Sequence, residues 1–81
     1  MNAAETMIYK MTGWDGMTEE FDSFFDAMHR AAVYLGGWMN DGDELRYFWE
    51  SHDDCVVVVV TEFGEDTDAQ CLIKRVRETG Q

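Results

Sequence analysis

The residues able to do chemistry in this chain are few. His52, Asp53, Asp54 and Cys55 are four metal-ligating types in a row. Their spacing matches no zinc finger or calcium loop, and neighbours on an extended chain point to opposite faces, so they do not converge on one ion. Asp41-Gly42-Asp43-Glu44 lacks the twelve-residue calcium pattern. His29 stands at helical spacing from Asp26 and next to Arg30, and reads as a solvated histidine. No phosphate-cradling loop, dinucleotide fingerprint or nucleophile elbow occurs, and no carboxyl is marked out as a raised-pKa acid beside a cleft. The expectation is a protein that is not an enzyme, with no cofactor and no metal.

What the chain has in quantity is negative charge. Seventeen acids oppose six bases among 81 residues, a formal net charge of −11. Residues 1 to 73 carry sixteen of the acids and only Lys10, Arg30 and Arg46, whereas Lys74, Arg75 and Arg77 crowd the last eight residues. Such a balance steers toward cationic partners and opposes direct binding to nucleic acid or to an anionic membrane. The length allows one acidic globular domain over 1–81, and the 46% hydrophobic content argues against disorder. No apolar run reaches the roughly 18 residues of a membrane span. The opening Met1-Asn2-Ala3-Ala4-Glu5 has neither the basic nor the apolar part of a signal peptide. Cys55 and Cys71 sit in apolar segments and read as buried, reduced thiols of a cytoplasmic protein.

The elements that position these groups are organised around Cys55-Val56-Val57-Val58-Val59-Val60-Thr61. Five consecutive β-branched residues suit a strand covered on both faces or flanked on both edges, running to about Phe63. Thr6 to Thr12 alternates as a short edge strand, and Gly13-Trp14-Asp15-Gly16 is a turn. Thr18 then suits an N-cap, with Glu19, Glu20 and Asp22 in the first helical turn. Phe21, Phe24, Phe25, Met28, Ala32 and Leu35 form an apolar stripe, ended by Gly36-Gly37. Glu44 to Ser51 reads as a strand joined by a hairpin to the valines. Thr67-Asp68-Ala69-Gln70 fits a capping box, and 68–78 is read as a short helix, with a strand as the alternative. The expected fold is α+β, a β-α-β-β-α domain. Its three-stranded sheet, in the order 1-3-2, packs against one long and one short helix through a right-handed parallel crossover.

That layout gathers acids at two poles. At one, Asp41, Asp43 and Glu44 meet Glu65, Asp66 and Asp68, with Trp38 close by as an exposed aromatic anchor. At the other, Asp53 and Asp54 of the hairpin lie near Asp15, Glu19, Glu20 and Asp22. Loops and helix starts favour acids for local reasons too. Trp14 and Trp49 read as core or core-edge residues.

In size, charge and small α+β layout, the chain resembles phage-encoded anti-defence proteins, especially anti-CRISPR proteins and other nucleic-acid mimics. The resemblance is one of general character. It implies an inhibitor that presents carboxylates where phosphates would sit, with a host nucleoprotein or nuclease as target. The same electrostatics suit an immunity protein or antitoxin that neutralises a basic toxin or nuclease. In either case the partner is a basic protein surface, with no direct nucleic-acid or membrane contact. A third reading gives the acids to solvation alone in a structural or halophilic protein, against which five Phe and three Trp argue.

Overall fold

The computed structural model describes residues 6–78. Residues 1–5, on which the reading of the N-terminus rests, and 79–81 lie outside the described residues. Five strands and one helix follow in the order β1 (Thr6–Gly13), β2 (Thr18–Phe21), α1 (Phe24–Gly36), β3 (Glu44–Glu50), β4 (Cys55–Glu62) and β5 (Glu65–Glu78). The strands form one sheet in the order β2-β1-β5-β4-β3, every pairing antiparallel. The expected three-stranded sheet with two helices and a parallel crossover is therefore wrong.

The largest difference is β5. The expected short helix is a fourteen-residue strand at the centre of the sheet, paired with β1 from Thr6↔Glu78 to Gly13↔Cys71 and with β4 from Cys55↔Lys74 to Glu62↔Glu65. Its helical reading rested on Thr67. That hydroxyl instead donates to the Val60 carbonyl at 2.8 Å and accepts from the Ala69 N–H at 3.2 Å, where the β4–β5 register shifts between Val59 and Thr61. A side chain that resembles a helix cap thus bridges a β-bulge. The true signal was alternation, since Ala69, Cys71 and Ile73 join the core while Gln70 and Lys74 stay exposed.

The second difference lies before the helix. Thr18 is no N-cap; Thr18 to Phe21 pairs with β1, Thr12↔Thr18 through Tyr9↔Phe21. The turn Gly13 to Gly16 returns the chain at once, with Gly16 at φ 95° and the Asp15 carboxylate accepting from the Met17 N–H. Ser23 caps the helix, its hydroxyl accepting from the Phe25 and Asp26 N–H groups. Starting later, α1 turns a different stripe inward. Ala27, Ala31, Tyr34 and Leu35 are buried, Phe24 is exposed and Phe25 is 81% exposed. The two alanines let the helix backbone approach the sheet closely. The Gly36-Gly37 end falls as the sequence suggests, although Gly37 is right-handed, at φ −68°.

The helix lies over β1 and β5, with some contact to β2 and β4. Beneath it Met11, Val58, Val60, Ala69, Cys71 and Ile73 form the core with the buried helix residues. The valine strand is buried on its other face too, without a helix there. Val57 lies in register between Phe48 and Leu72, and Val59 between Arg46 and Gln70, so long neighbours cover them. Strand β4 is flanked on both edges, as expected, but by β3 and β5 rather than by β1.

These placements separate two substitutions. Val58→Ala removes buried methyls from the sheet–helix interface and should cost about 2–3 kcal/mol. Phe25→Ala, at an exposed site, should stay within about 0.5 kcal/mol of the parent. Urea unfolding of the two variants checks the contrast, and equal losses would place α1 in the wrong rotation.

Candidate functional site

One end of the sheet collects carboxylates from three separate stretches. Strand β4 leaves the sheet there, and β3 and β5 enter it. Glu44 is in register with Thr61, and Thr61 with Asp66, so the two acids flank one strand at about 10 Å. Glu62 and Glu65 stand directly opposite each other. Asp68 follows two residues after Asp66 and is exposed. Asp41 and Asp43 lie in the turn that feeds β3, where Gly42 takes φ 93°. The geometry thus brings Asp41, Asp43 and Glu44 to the end of the sheet occupied by Glu65, Asp66 and Asp68, and adds Glu62.

These acids are not equivalent. Asp43 holds its own turn, accepting from the Asn40 N–H at 2.9 Å while its N–H donates to the Asn40 carbonyl at 3.0 Å. Asp66 is a strand residue held in a two-pronged pair with Arg46, whose Nε donates to Oδ1 at 2.9 Å. The pair reaches across β4 from β3 to β5, and its hydrogen bonds pull the Asp66 carboxyl below the usual carboxylate range. The Arg46 guanidinium also lies 4.4 Å from the Phe48 ring centroid. Among the described residues, Asp41, Glu44, Glu62, Glu65 and Asp68 have no ion pair and carry the free charge of this end.

Phe63 sits at the tip of the β4–β5 hairpin, 97% exposed. It has φ 53° and Gly64 φ 81°, the two left-handed positions of a type I′ turn between Glu62 and Glu65. A bulky aromatic is costly in that conformation, and a wholly exposed ring adds nothing to the core. Directly opposed glutamates flank it, another locally unfavourable feature. The sequence signal was a two-residue X-Gly step between extended runs; reading the valine strand through Phe63 hid it.

Trp38 is partly exposed just past the helix end. It meets Tyr34 edge-on at 4.8 Å and Trp14 at 5.5 Å. Trp38 thus packs within an aromatic group whose Tyr34 hydroxyl donates to the Asp15 carboxylate and accepts from the Asp15 N–H at 3.3 Å. The ring lies so close to β1 that a Cβ at Gly13 would collide with the hydroxyl. Asp15 therefore belongs to this aromatic lock and not to the other pole.

That second pole does not assemble. Asp53 and Asp54 occupy the β3–β4 turn, Glu19 and Glu20 the opposite edge strand, and Asp22 its exit toward the helix. Strands β1 and β5 intervene, about 14 Å across three strand spacings. Lys10 and Lys74 oppose each other in that gap, and with Asp53 and Cys55 they line a groove of about 240 Å³. Glu19 is drawn to the helix, accepting from Arg30 Nε at 2.9 Å. The expected convergence failed because it placed Glu19 and Asp22 in the first turn of the helix.

No group of three His, Cys, Asp or Glu residues that could hold a metal ion occurs among the described residues. His29 and His52 are exposed. Both thiols are free and buried, on opposite faces of the sheet, and burial pushes Cys71 up to about 12. No helix is long and apolar enough to cross a membrane among these residues.

The Asp15–Tyr34 bond has a titration signature. The Tyr34 hydroxyl lowers the Asp15 carboxyl from its ordinary 3.8. A depressed folded-state value means that the bond's contribution is present above pH 3.8 and lost as pH falls through the folded-state pKa. NMR titration of the Asp15 carboxyl should show a midpoint below 3.8 that rises in Tyr34→Phe; an unchanged midpoint would remove this bond from the account.

Compared with known protein families, curated proteins and solved structures, the chain finds no match in any of the three.

Proposed function

We propose that this protein is a small acidic inhibitor that binds a basic, nucleic-acid-binding surface on another protein. The carrying observation is the gathering of Asp41, Glu44, Glu62, Glu65 and Asp68 at one end of the sheet around the exposed Phe63. Carboxylates so arranged offer a cationic groove what a phosphate backbone offers, and the net charge of −11 speeds the encounter. Phe63 supplies the apolar centre that a charged rim lacks, in the way interface anchors do. The chain acts by occupancy, without catalysis or cofactor. Its target is a host defence nucleoprotein or nuclease in the cytoplasm, engaged in the anti-CRISPR-like manner.

Charge reversal tests this reading at residues whose loss leaves the fold alone. Asp41→Lys with Glu65→Lys alters two exposed acids with no ion pair among the described residues, whereas reversing Asp43 or Asp66 would also break a turn or the Arg46 pair. A partner captured from host cells and identified by cross-linking should lose about tenfold or more in affinity for the double variant. Nucleic acid should compete with the parent protein, and affinity should fall as salt rises. Glu20→Lys, at the far edge strand, should change little. Affinity indifferent to both the double reversal and salt would end the proposal.

A further inference from the structure

The two edges of the sheet are built differently. Strand β2 is four residues long and ends in the helix cap, so it offers little for another strand to pair with. Strand β3 runs seven residues, pairs with β4 in unbroken register from Glu44↔Thr61 to Glu50↔Cys55, and contains neither proline nor lysine. Among the described residues no element lies beyond it. Its outer row of backbone donors and acceptors is open, and its sequence Leu45-Arg46-Tyr47-Phe48-Trp49 is mostly apolar and aromatic. Edges of this length and regular register are ordinarily blunted, because they template pairing with another chain.

The side chains on this edge also lack cover. Leu45, Tyr47 and Trp49 share the helix-bearing face, but α1 lies over β1 and β5 and does not reach them fully. Tyr47 is 47% and Trp49 58% exposed, and Phe24 and Phe25 are exposed at the start of the helix. Between helix and edge runs a groove of about 330 Å³ lined by Tyr9, Phe24, Trp49, Val56, Ile73 and Arg75. On the other face Glu44 and Glu50 mark the two ends of the strand, with Asp41 and Asp43 before it and Asp53 and Asp54 after it. The edge is an aromatic strip with acids at both ends.

We propose that β3 is a docking strand: an extended segment of a partner protein, apolar on one face and basic at its ends, adds to this edge as a sixth strand. Main-chain bonds to the open edge would hold the segment, and its alternate side chains would pack beside Leu45, Tyr47 and Trp49. Lysines or arginines about six residues apart would meet Glu44 and Glu50. A second copy of this chain is the poorer occupant. Pairing two β3 strands about Tyr47, the register that uses the whole strand, sets Glu44 against Glu50 twice and joins two bodies of −11 each. The inference stands on the open edge itself and shares with the acidic end around Phe63 only the acids that lead into β3.

The probe is the blocked peptide Lys-Val-Gln-Val-Gln-Val-Lys, which sets a lysine against Glu44 and Glu50 in either strand direction. Titrated into the intact protein, it should bind saturably and change Trp49 fluorescence. Amide shifts should map to β3, with hydrogen exchange slowed at every second residue from Glu44 to Glu50. The same peptide with glutamates at its ends should bind about tenfold more weakly or worse. In the double variant Glu44→Lys, Glu50→Lys the preference should invert, and a folded spectrum of that variant keeps the comparison sound. Glu65→Lys with Asp68→Lys, on β5 with β4 between them and the edge, should retain most of the peptide affinity, which separates this site from the acidic end. Shifts that map away from β3, or no inversion, would overturn the proposal. So would a concentration-dependent dimer whose dissociation uncovers β3, since it would give the edge to a second copy.

Discussion

Everything in this fold depends on β5 being paired along both of its sides. It is the last of the described elements in sequence and the central strand in space, joining the β1–β2 hairpin to the β3–β4 hairpin. Without it the molecule would be two separate two-stranded ribbons, each marginal in water. Its inward residues Ala69, Cys71 and Ile73 also form the floor on which α1 rests, together with Val58 and Val60 of its neighbour. The closing pairings are long-range in sequence, Thr6 to Glu78 at the extreme, so the sheet completes only when β1 and β5 have met.

The same strand shows why part of the structure was legible in the sequence and part was not. The valine run could hardly be other than a buried strand, because five stiff side chains leave no polar face for water. The Gly36-Gly37 stop and the strand from Thr6 were legible for similarly local reasons, although the expected edge position of that strand is wrong: β1 lies inside the sheet, paired with β2 on one side and β5 on the other. Residues 65 to 78 offered two patterns at once: a cap-like Thr67 with Gln70, and an alternation through Ala69, Cys71 and Ile73. Tertiary pairing on both sides decided for the second. Thr18 posed the same ambiguity, since a good capping residue is also a good strand residue beside a glycine turn. Once β5 is a strand, the poles change as well. The end bearing Asp41, Glu44 and Asp66 is held together by the β3–β4–β5 pairings, whereas Glu19 goes to a different edge from Asp53 and Asp54.

The described residues are locally consistent over most of their length, and the exceptions cluster. Polar groups find partners, with no buried side-chain nitrogen or oxygen left unbonded among the described residues. The Arg46–Asp66 pair links β3 to β5 across β4, and the Asp15–Tyr34 bond ties the β1–β2 turn to the helix. Against that background the β4–β5 tip stands out, with an aromatic in a left-handed turn between opposed glutamates. Features that the fold does not need concentrate where a protein meets something else. The tip and the open β3 edge are adjacent, so one partner could meet both.

The tip can be tested on both counts with one variant. Phe63→Asn supplies Asn-Gly, the preferred pair for a type I′ turn, and removes the exposed ring. Thermal unfolding and partner capture are then measured on the same preparation. The account predicts a Tm several degrees higher, from a gain of about 1 kcal/mol in the turn, together with loss of the captured partner. A lower Tm would show that Phe63 serves the fold, and partner capture at the parental level would show that the tip is not where the protein binds.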